Sequence, residues 1–251
     1  MTVNIAIVGY GRMGHAIETM AINNGINVVS IIDTSDKDAN YDEITQKSLE
    51  AADVAIDFTS SVSALKNIEK IAMLGKNIVI GTTGWYGDMN AVKNIVEKNN
   101  IGVVYSPNFS IGVNIFFQIV KTAAVQFNKF PMYDPFVYEL HHNQKSDAPG
   151  GTAMKLGNIL TTNIKRKSKL VYDRIDNKRI KPEELHVASI RAGHLPGTHV
   201  VGFDGESDTI ELKHMARSRS GFAEGALFAA KWIIERSGLY SFEDVIKEVV
   251  G

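Results

Sequence analysis

The stretch ELHHNQKSDAPGGTA places two adjacent histidines, His141 and His142, shortly before Lys145. Histidine and lysine are the side chains that most readily exchange protons near neutral pH in a site that shifts their pKa. The Pro-Gly-Gly-Thr turn leads into a helical pattern, where we expect Thr152 to be the N-cap and the amides of Gly151 and Thr152 to form an anion site. The segment therefore predicts a proton donor beside a site for substrate carboxylates.

The two histidines need not share one role. In a strand, FVYELHH directs His141 and His142 to opposite faces unless the strand ends there. The alternative is a solvated polar loop, but a cluster of titratable groups at a glycine-rich helix entry favours function. We predict no metal, because the sequence offers no HExxH spacing for zinc.

A second candidate site is the turn GYGRMG, which follows the apolar run VNIAIV and opens a helical pattern. Here Gly9 would permit the tight turn, Gly11 would let the backbone approach a pyrophosphate, and Gly14 would let the helix pack closely on the strand. Asp33 ends the next apolar run, where it would accept hydrogen bonds from the adenosine ribose. A tight turn with a surface aspartate is the alternative. Strand, turn, helix and acid together favour dinucleotide binding, with NAD preferred because a 2′-phosphate would meet a carboxylate.

Two further turns follow predicted strands. GTTG (Gly81–Gly84) follows NIVI, and SPNF (Ser106–Phe109) follows IGVVY. Ligands of doubly wound sheets bind beyond the carboxyl ends of the strands, so a cofactor role is expected at Gly81, Thr83 and Phe109. Ordinary loop chemistry is the alternative.

The elements that must position these residues fall into two groups. Short apolar runs alternate with amphipathic helical patterns over the first hundred residues, which predicts an α/β domain with a Rossmann-type, doubly wound parallel sheet. The later strands alternate apolar and polar residues, as in SDTIELKHMA, which predicts a second α+β domain. We place the dinucleotide domain at residues 1–109 and 219–251 and the substrate domain at 110–218, with a loop at 163–182.

The composition of the chain disfavours some classes of binding partner. The 251 residues carry 27 Lys and Arg against 28 Asp and Glu, with no basic stripe, so nucleic acid and membrane surfaces are not expected. The N-terminal run is too short for a signal peptide or a membrane span. With no cysteine, the chain has no disulfides, and we predict a cytoplasmic protein.

Six motifs together resemble, in order and spacing, the 4-hydroxy-tetrahydrodipicolinate reductase family of bacterial lysine and diaminopimelate biosynthesis. The motifs are GYGRMG, IDFT (Ile56–Thr59), GTTG, PNFSIGVN (Pro107–Asn114), ELHHNQKSDAPGGTA and RAGHLPGTHVVGF (Arg191–Phe203). The resemblance covers nearly the whole chain, and the histidine-lysine segment is its most specific part. It implies a homotetramer joined through the sheet of the second domain. It also implies hydride transfer from NADH or NADPH to a cyclic dicarboxylate substrate, giving tetrahydrodipicolinate.

The resemblance also implies residue roles. His141 would act as acid and base and Lys145 as proton donor, while His142, Gly151 and Thr152 would hold a substrate carboxylate. The cofactor would contact a larger set: Gly9, Tyr10, Gly11, Arg12, Met13, Asp33, Gly81, Thr82, Thr83, Ser106, Pro107, Asn108 and Phe109.

Departures from the family pattern bear on the choice of cofactor. The glycine turn is one residue shorter than the commoner form, and GGT stands where many members have SGT. Thr34 and Ser60 stand where many members carry arginines, which removes expected phosphate or adenine contacts; both NADH and NADPH stay open, with a leaning to NADH. Two other functions are weighed: a dinucleotide sensor without turnover, and another two-domain dehydrogenase of the amino-acid type. The histidine-lysine segment disfavours both, because it joins an acid to an anion site.

Overall fold

A computed structural model describes residues 2–172, 177 and 179–251 of the chain. Its strands are β1 (Asn4–Val8), β2 (Asn27–Ile32), β3 (Val54–Asp57), β4 (Asn77–Ile80), β5 (Gly102–Tyr105), β6 (Asp134–His141), β7 (Lys169–Tyr172), β8 (Glu184–Arg191), β9 (Thr198–Asp204), β10 (Thr209–Met215) and β11 (Gly238–Ser241). Its α-helices are α1 (Arg12–Asn23), α2 (Gln46–Leu49), α3 (Ser61–Met73), α4 (Met89–Asn99), α5 (Ile111–Phe127), α6 (Gly151–Asn163), α7 (Ser220–Trp232) and α8 (Phe242–Val250).

The chain divides into two compact units. The first comprises the residues up to Asn114 together with Arg219–Gly251, and the second comprises Ile115–Ser218. In the described part of the chain, no helix is both long enough and apolar enough to cross a membrane.

The first unit contains a parallel six-stranded sheet in the order β11-β5-β4-β3-β1-β2. Side chains on β1 show why it is covered on both faces: Ile5 and Ile7 belong to one buried apolar cluster, Ala6 and Val8 to another. The first cluster includes residues of α1, α7 and α8, and the second includes residues of α3 and α4. The prediction of a doubly wound Rossmann-type sheet is therefore confirmed.

The strand order of this sheet reverses between β1 and β3. From β1 the chain first adds β2 on one side and then β3, β4, β5 and β11 on the other. Ligands of doubly wound sheets bind beyond the carboxyl ends of the strands at such a reversal. The turn after β1 and the residues after β3 therefore form the expected binding edge.

The second unit contains a mixed five-stranded sheet in the order β10-β9-β6-β8-β7. Strand β6 lies at its centre, antiparallel to β9 and parallel to β8. Helix α6 packs on β6, β7, β8 and β9 and covers one face. Because β6 is central, the histidine that ends it lies among residues of several other strands.

The prediction of a loop for residues 163–182 is wrong in part, because β7 lies within this stretch and pairs in parallel with β8. The preceding Lys167 is buried, and its Nζ donates a 2.8 Å hydrogen bond to the carbonyl of Glu184 and pairs with Asp134. These two partners hold the ammonium inside the unit, so a polar segment can join the sheet. Residues 173–176 and 178 of the predicted loop lie outside the described residues.

Candidate functional site

The turn after β1 has the tight geometry that its glycines predict. Gly9 has a φ of +89°, which side-chain-bearing residues rarely adopt, and its amide donates to the carbonyl of Ile32 at 2.9 Å. A Cβ on Gly14 would lie 2.5 Å from the Gly9 carbonyl oxygen, whereas a Cβ on Gly11 would meet no atom within 4 Å. The open space above Gly11 leaves the backbone approachable by a ligand.

Helix α1 begins at this turn with unused hydrogen-bond donors. Its N-cap is Gly11, no side chain caps its first amides, and its first turn carries no acidic residue. Such an end presents amide donors and a positive dipole to an anion. It borders a cavity of about 380 Å³, lined by Gly11, Arg12, Met13, Phe58, Thr59, Ser61, Gly81, Thr82 and Thr83. The cavity and the uncapped helix end fit the diphosphate of a dinucleotide.

Asp33, at the end of β2, is held beside this turn. Its Oδ2 accepts a 2.7 Å hydrogen bond from the Tyr10 amide, and its Oδ1 accepts from the amides of Ser35 and Asp36 and from the Ser35 hydroxyl. Burial alone would raise the pKa of Asp33, but these hydrogen bonds outweigh burial and lower it to about 2. The Tyr10 side chain is buried, and its hydroxyl donates a hydrogen bond to the Glu18 carboxylate. The carboxylate of Asp33 is thus ionised at neutral pH, as a ribose-binding role requires.

Asp57, the last residue of β3, organises the other side of the cavity. The carboxylate is buried, and its Oδ1 accepts from the Thr59 amide at 3.0 Å, the Thr59 hydroxyl at 2.8 Å and the Thr82 hydroxyl at 2.7 Å. Its Oδ2 accepts from the Asn67 side chain at 2.9 Å. Through Thr59 and Thr82 this buried charge fixes two stretches of the cavity wall.

Replacement of Asp57 by alanine is expected to raise the dissociation constant for NADH at least about tenfold, because Thr59 and Thr82 lose their common acceptor. Leaving several buried donors unpaired should also cost about 3 kcal/mol of unfolding free energy. Fluorescence titration and urea denaturation measure the two effects. Asp53→Ala is the matched control, since Asp53 precedes the same strand and is exposed. Equal NADH affinity in both variants would contradict this role for Asp57.

The SPNF segment after β5 is a compact turn held by its own polar groups. The Ser106 hydroxyl accepts from the Asn108 amide at 3.0 Å and donates to the Asn108 carbonyl at 2.8 Å, and Pro107 is exposed. The Phe109 side chain is buried, with ring centroids 4.9 Å from Phe242 and 6.0 Å from Phe58. Cofactor contacts by Ser106, Pro107, Asn108 and Phe109 stay a prediction, as do those of Gly9, Tyr10 and Asp33.

In the second unit, a cluster of charged and titratable groups surrounds Glu139 on β6. Its side chain is 0% exposed. Oε1 accepts from the Gly150 amide at 2.8 Å and from Arg191 Nη2 at 2.6 Å. Oε2 lies 3.4 Å from His141 Nδ1 and 3.5 Å from His199 Nε2. One buried carboxylate therefore meets residues of β6, β8, β9 and the start of α6.

The start of α6 differs from the prediction in one respect. The helix begins at Gly151 with Gly150 as its N-cap, so the prediction of Thr152 as N-cap is wrong. The physical reason is that Gly150 is extended and its amide is tied to Glu139, which starts the first turn before Thr152. No side chain caps this helix end. The amides of Gly151 and Thr152 thus lie in an uncapped first turn, as an anion site needs.

Strand β6 ends at His141, and His142 and Lys145 lie in the loop that follows. Lys145 Nζ pairs with Asp147 at 2.6 Å, and a Cβ on Gly150 would lie 3.3 Å from Nζ. The lysine therefore lies against the N-cap of α6, where a bound carboxylate could replace Asp147 as its partner. The structure brings His141, Lys145 and the α6 start together; a substrate contact by His142 stays a prediction.

His141 is held largely uncharged in this cluster. Burial lowers the pKa of His141, the Glu139 charge raises it, and His199, Lys145 and Arg191 lower it again, with a net value of about 4. The buried Glu139 keeps its charge: burial opposes ionisation, but His199, Arg191 and the Gly150 amide together hold the pKa of that carboxyl well below its usual range. Negative charge brought by a bound ligand would raise the pKa of His141.

Glu139, His141 and His199 also have a spacing that could hold a metal ion, with one ligand atom from each within 4.8 Å of the others. However, Arg191 already pairs with the same carboxylate, and Lys145 contributes a second positive charge to the cluster. A divalent cation would have to displace or oppose these charges. The cluster is therefore better suited to protons and anions.

Several residues of both sites have no role assigned from the sequence, although all except Ser61 lie in the quoted motifs. In the first unit they are Asp57, Phe58, Thr59 and Ser61; in the second they are Glu139, Asp147, Arg191 and His199. A usable signal existed for Glu139, because residues two apart in a strand share a face and Glu139 precedes His141 by two. Arg191 and His199 both lie in the motif RAGHLPGTHVVGF, but nothing in the sequence assigns them to this cluster, which they reach from other strands.

Comparison with known families and structures shows which proteins this chain resembles. The sequence model described as "Dihydrodipicolinate reductase, N-terminus" matches residues 3–109, and that described as "Dihydrodipicolinate reductase, C-terminus" matches residues 112–246. A solved dihydrodipicolinate reductase from Paenisporosarcina sp. TG-14, bound to dipicolinate, has a TM-score of 0.79. That alignment covers 98% of this chain and 100% of the other at 24% identity, and it shows a shared fold.

Curated relatives are more similar in sequence. A 4-hydroxy-tetrahydrodipicolinate reductase of Christiangramia forsetii is 35% identical over 98% of each chain. The enzyme of the same name from Archaeoglobus fulgidus is 37% identical over 94% of this chain and 96% of its own. The two matched halves and these full-length relatives together place the chain in the dihydrodipicolinate reductase family.

Proposed function

We propose that the protein reduces 4-hydroxy-tetrahydrodipicolinate to tetrahydrodipicolinate, with a pyridine nucleotide, in lysine and diaminopimelate biosynthesis. This proposal rests on one observation: His141, Lys145 and the uncapped start of α6 lie close together in the second unit. The chain also belongs to the matching family. The site combines proton-exchanging groups with amide donors for a carboxylate. That combination suits a dicarboxylate that is protonated during reduction.

The nucleotide would be held in the first unit by the turn after β1, by Asp33 and by the wall formed by Gly81, Thr82 and Thr83. Bound there, the reduced nicotinamide supplies the hydride. The uncapped end of α1 would hold the diphosphate, and the ionised Asp33 would accept a hydrogen bond from a ribose hydroxyl.

The second unit handles the substrate. The amides of Gly151 and Thr152, with His142, hold a carboxylate, and Lys145 leaves Asp147 to contact it. Loss of the 4-hydroxyl as water and arrival of the hydride require one added proton, which comes from the pair His141 and Lys145. His141 is largely uncharged before substrate binds, and the charge of a bound dicarboxylate would favour its protonated form.

The cofactor preference is for NADH. The 2′-phosphate of NADPH would face the ionised Asp33, and Thr34 and Ser60 offer no positive charge to offset that repulsion. Oxidation of NADH and NADPH, followed side by side with freshly generated substrate, tests both function and preference. Faster turnover with NADH is expected. No oxidation of either nucleotide would refute the function, and faster turnover with NADPH would refute the preference alone.

The homotetramer and the cytoplasmic location complete the proposal. The sheet face opposite Glu139 carries Phe136 and Tyr138, whose rings stack 6.3 Å apart, and Ile190, which is 51% exposed. This apolar face supports assembly through the second unit. Sedimentation equilibrium is expected to give four times the chain mass of 27.6 kDa.

A further inference from the structure

We propose that Glu139 is a positioning residue that sets the tautomer and orientation of His141 and anchors the start of α6. This inference rests on the proposed function. It concerns a side chain that no assigned role explains: a carboxylate with 0% exposure at the centre of a sheet. Burying an ionised carboxylate is costly unless its partners compensate, so its partners indicate what it does.

The position of Glu139 in the sheet brings it to His141. Both belong to β6 and lie two residues apart, so their side chains share a face. Across the sheet, Glu139 is opposite His199 of β9 and His141 is opposite Arg191 of β8. Glu139 is therefore the neighbour of His141 on the same face of the sheet, and His141 is the last residue of the strand.

The two carboxylate oxygens of Glu139 contact different groups. Oε1 accepts from Arg191 and from the Gly150 amide, and the latter bond fixes the N-cap of α6. Oε2 faces His141 Nδ1 at 3.4 Å and His199 Nε2 at 3.5 Å. Within the described part of the chain, Oε2 and His141 Nδ1 are both buried and make no hydrogen bond of good geometry. At 3.4 Å these two atoms are nonetheless within hydrogen-bond distance of each other.

This pairing decides where the proton of neutral His141 lies. An ionised carboxylate only accepts hydrogen bonds, so Nδ1 must carry the hydrogen. Nε2 is then the proton-accepting nitrogen, and it faces the position where a Cβ on Gly197 would lie 3.1 Å away. A side chain at position 197 would therefore crowd this nitrogen. Glu139 thus gives His141 a fixed orientation and stabilises its protonated form, as a carboxylate behind a catalytic imidazole does in other enzymes.

A purely structural role would leave His141 free to adopt either tautomer. Long-range ¹H–¹⁵N NMR spectra of the wild-type protein near pH 7.5, with His141→Gln used for assignment, distinguish the two cases. We expect the signals of the Nδ1–H tautomer for His141. Signals of the Nε2–H tautomer would overturn the proposal. This measurement needs no substrate turnover, so its outcome is independent of the proposed function.

A double-mutant cycle tests whether Glu139 acts through His141. Glu139→Gln is expected to lower kcat at least about tenfold and to leave the NADH dissociation constant unchanged. In the His141→Gln background the same change should lower kcat no further. If the kcat loss of the double variant equals the product of the two single-variant losses, the proposal is overturned. Glu211→Gln, at an exposed position of β10 in the same sheet, is the matched control and should keep the wild-type kcat.

Two outcomes outside the cycle also have a defined meaning. If Glu139→Gln does not fold, the wild-type tautomer alone decides the proposal. If the wild-type protein shows no turnover, the proposed function is refuted. The tautomer of His141 then still decides whether Glu139 positions this ring.

Discussion

Replacement of His141 by glutamine is expected to lower kcat for 4-hydroxy-tetrahydrodipicolinate by about a hundredfold or more and to leave NADH binding unchanged. Glutamine fills a similar space but cannot take up and release a proton, and a positioned acid or base contributes about 10²–10⁴ in rate. The cavity proposed for the nucleotide lies in the first unit and is lined by other residues, so the affinity for NADH should not change. Steady-state kinetics and fluorescence titration give the two quantities. Wild-type turnover by His141→Gln would show that the assignment is wrong.

Lys145→Met is also expected to lower kcat by about a hundredfold or more and to leave NADH binding unchanged. Lys169 offers a matched control. Lys145 pairs with Asp147 at 2.6 Å beside the N-cap of α6, whereas Lys169 pairs with Glu184 at 2.9 Å near the opposite end of the sheet. Lys145→Met removes a charge and a proton donor from the site, whereas Lys169→Met removes only a charge and its ion pair with the largely buried Glu184. Equal kcat losses in the two variants would assign the effect of Lys145 to general electrostatics.

The fold of the first unit could be predicted because its signals are local. Continuous apolar strands such as NIVI and VAID separate amphipathic helices, and in the structure each is buried on both faces. Glycines at Gly9 and Gly14 identify the turn because only a residue without Cβ fits there. Local steric requirements of this kind can be recognised in a single sequence.

The parts that could not be predicted depend on partners far apart in the chain. Arg191 bonds to Glu139 across 52 positions, and the Thr82 hydroxyl bonds to Asp57 across 25. A buried acid looks the same in a sequence as an exposed one, since only its donors make burial possible. The N-cap of α6 was misplaced for the same reason: the glycine amide that Glu139 binds, rather than the threonine hydroxyl, determines where the helix begins.

Replacement of Gly225 by alanine is expected to lower the unfolding free energy of the first unit by at least about 3 kcal/mol. Gly225 lies in the buried face of α7, and a Cβ there would be 1.7 Å from the carbonyl oxygen of Phe109. A backbone carbonyl cannot rotate away as a side chain can, so either α7 or the SPNF segment must move. Urea denaturation followed by tryptophan fluorescence reports this directly, because both tryptophans, Trp85 and Trp232, belong to the first unit.

The matched control is Gly221→Ala in the same helix. A Cβ at Gly221 would lie 3.7 Å from Ser110 Oγ, an ordinary contact, so alanine should leave stability unchanged or raise it by up to about 1 kcal/mol through its helix propensity. Equal destabilisation by the two alanines would contradict the packing of α7 against Phe109. If instead only Gly225→Ala loses stability and also weakens NADH binding, the backbone at Phe109 and the cofactor site are coupled, as the predicted role of SPNF requires.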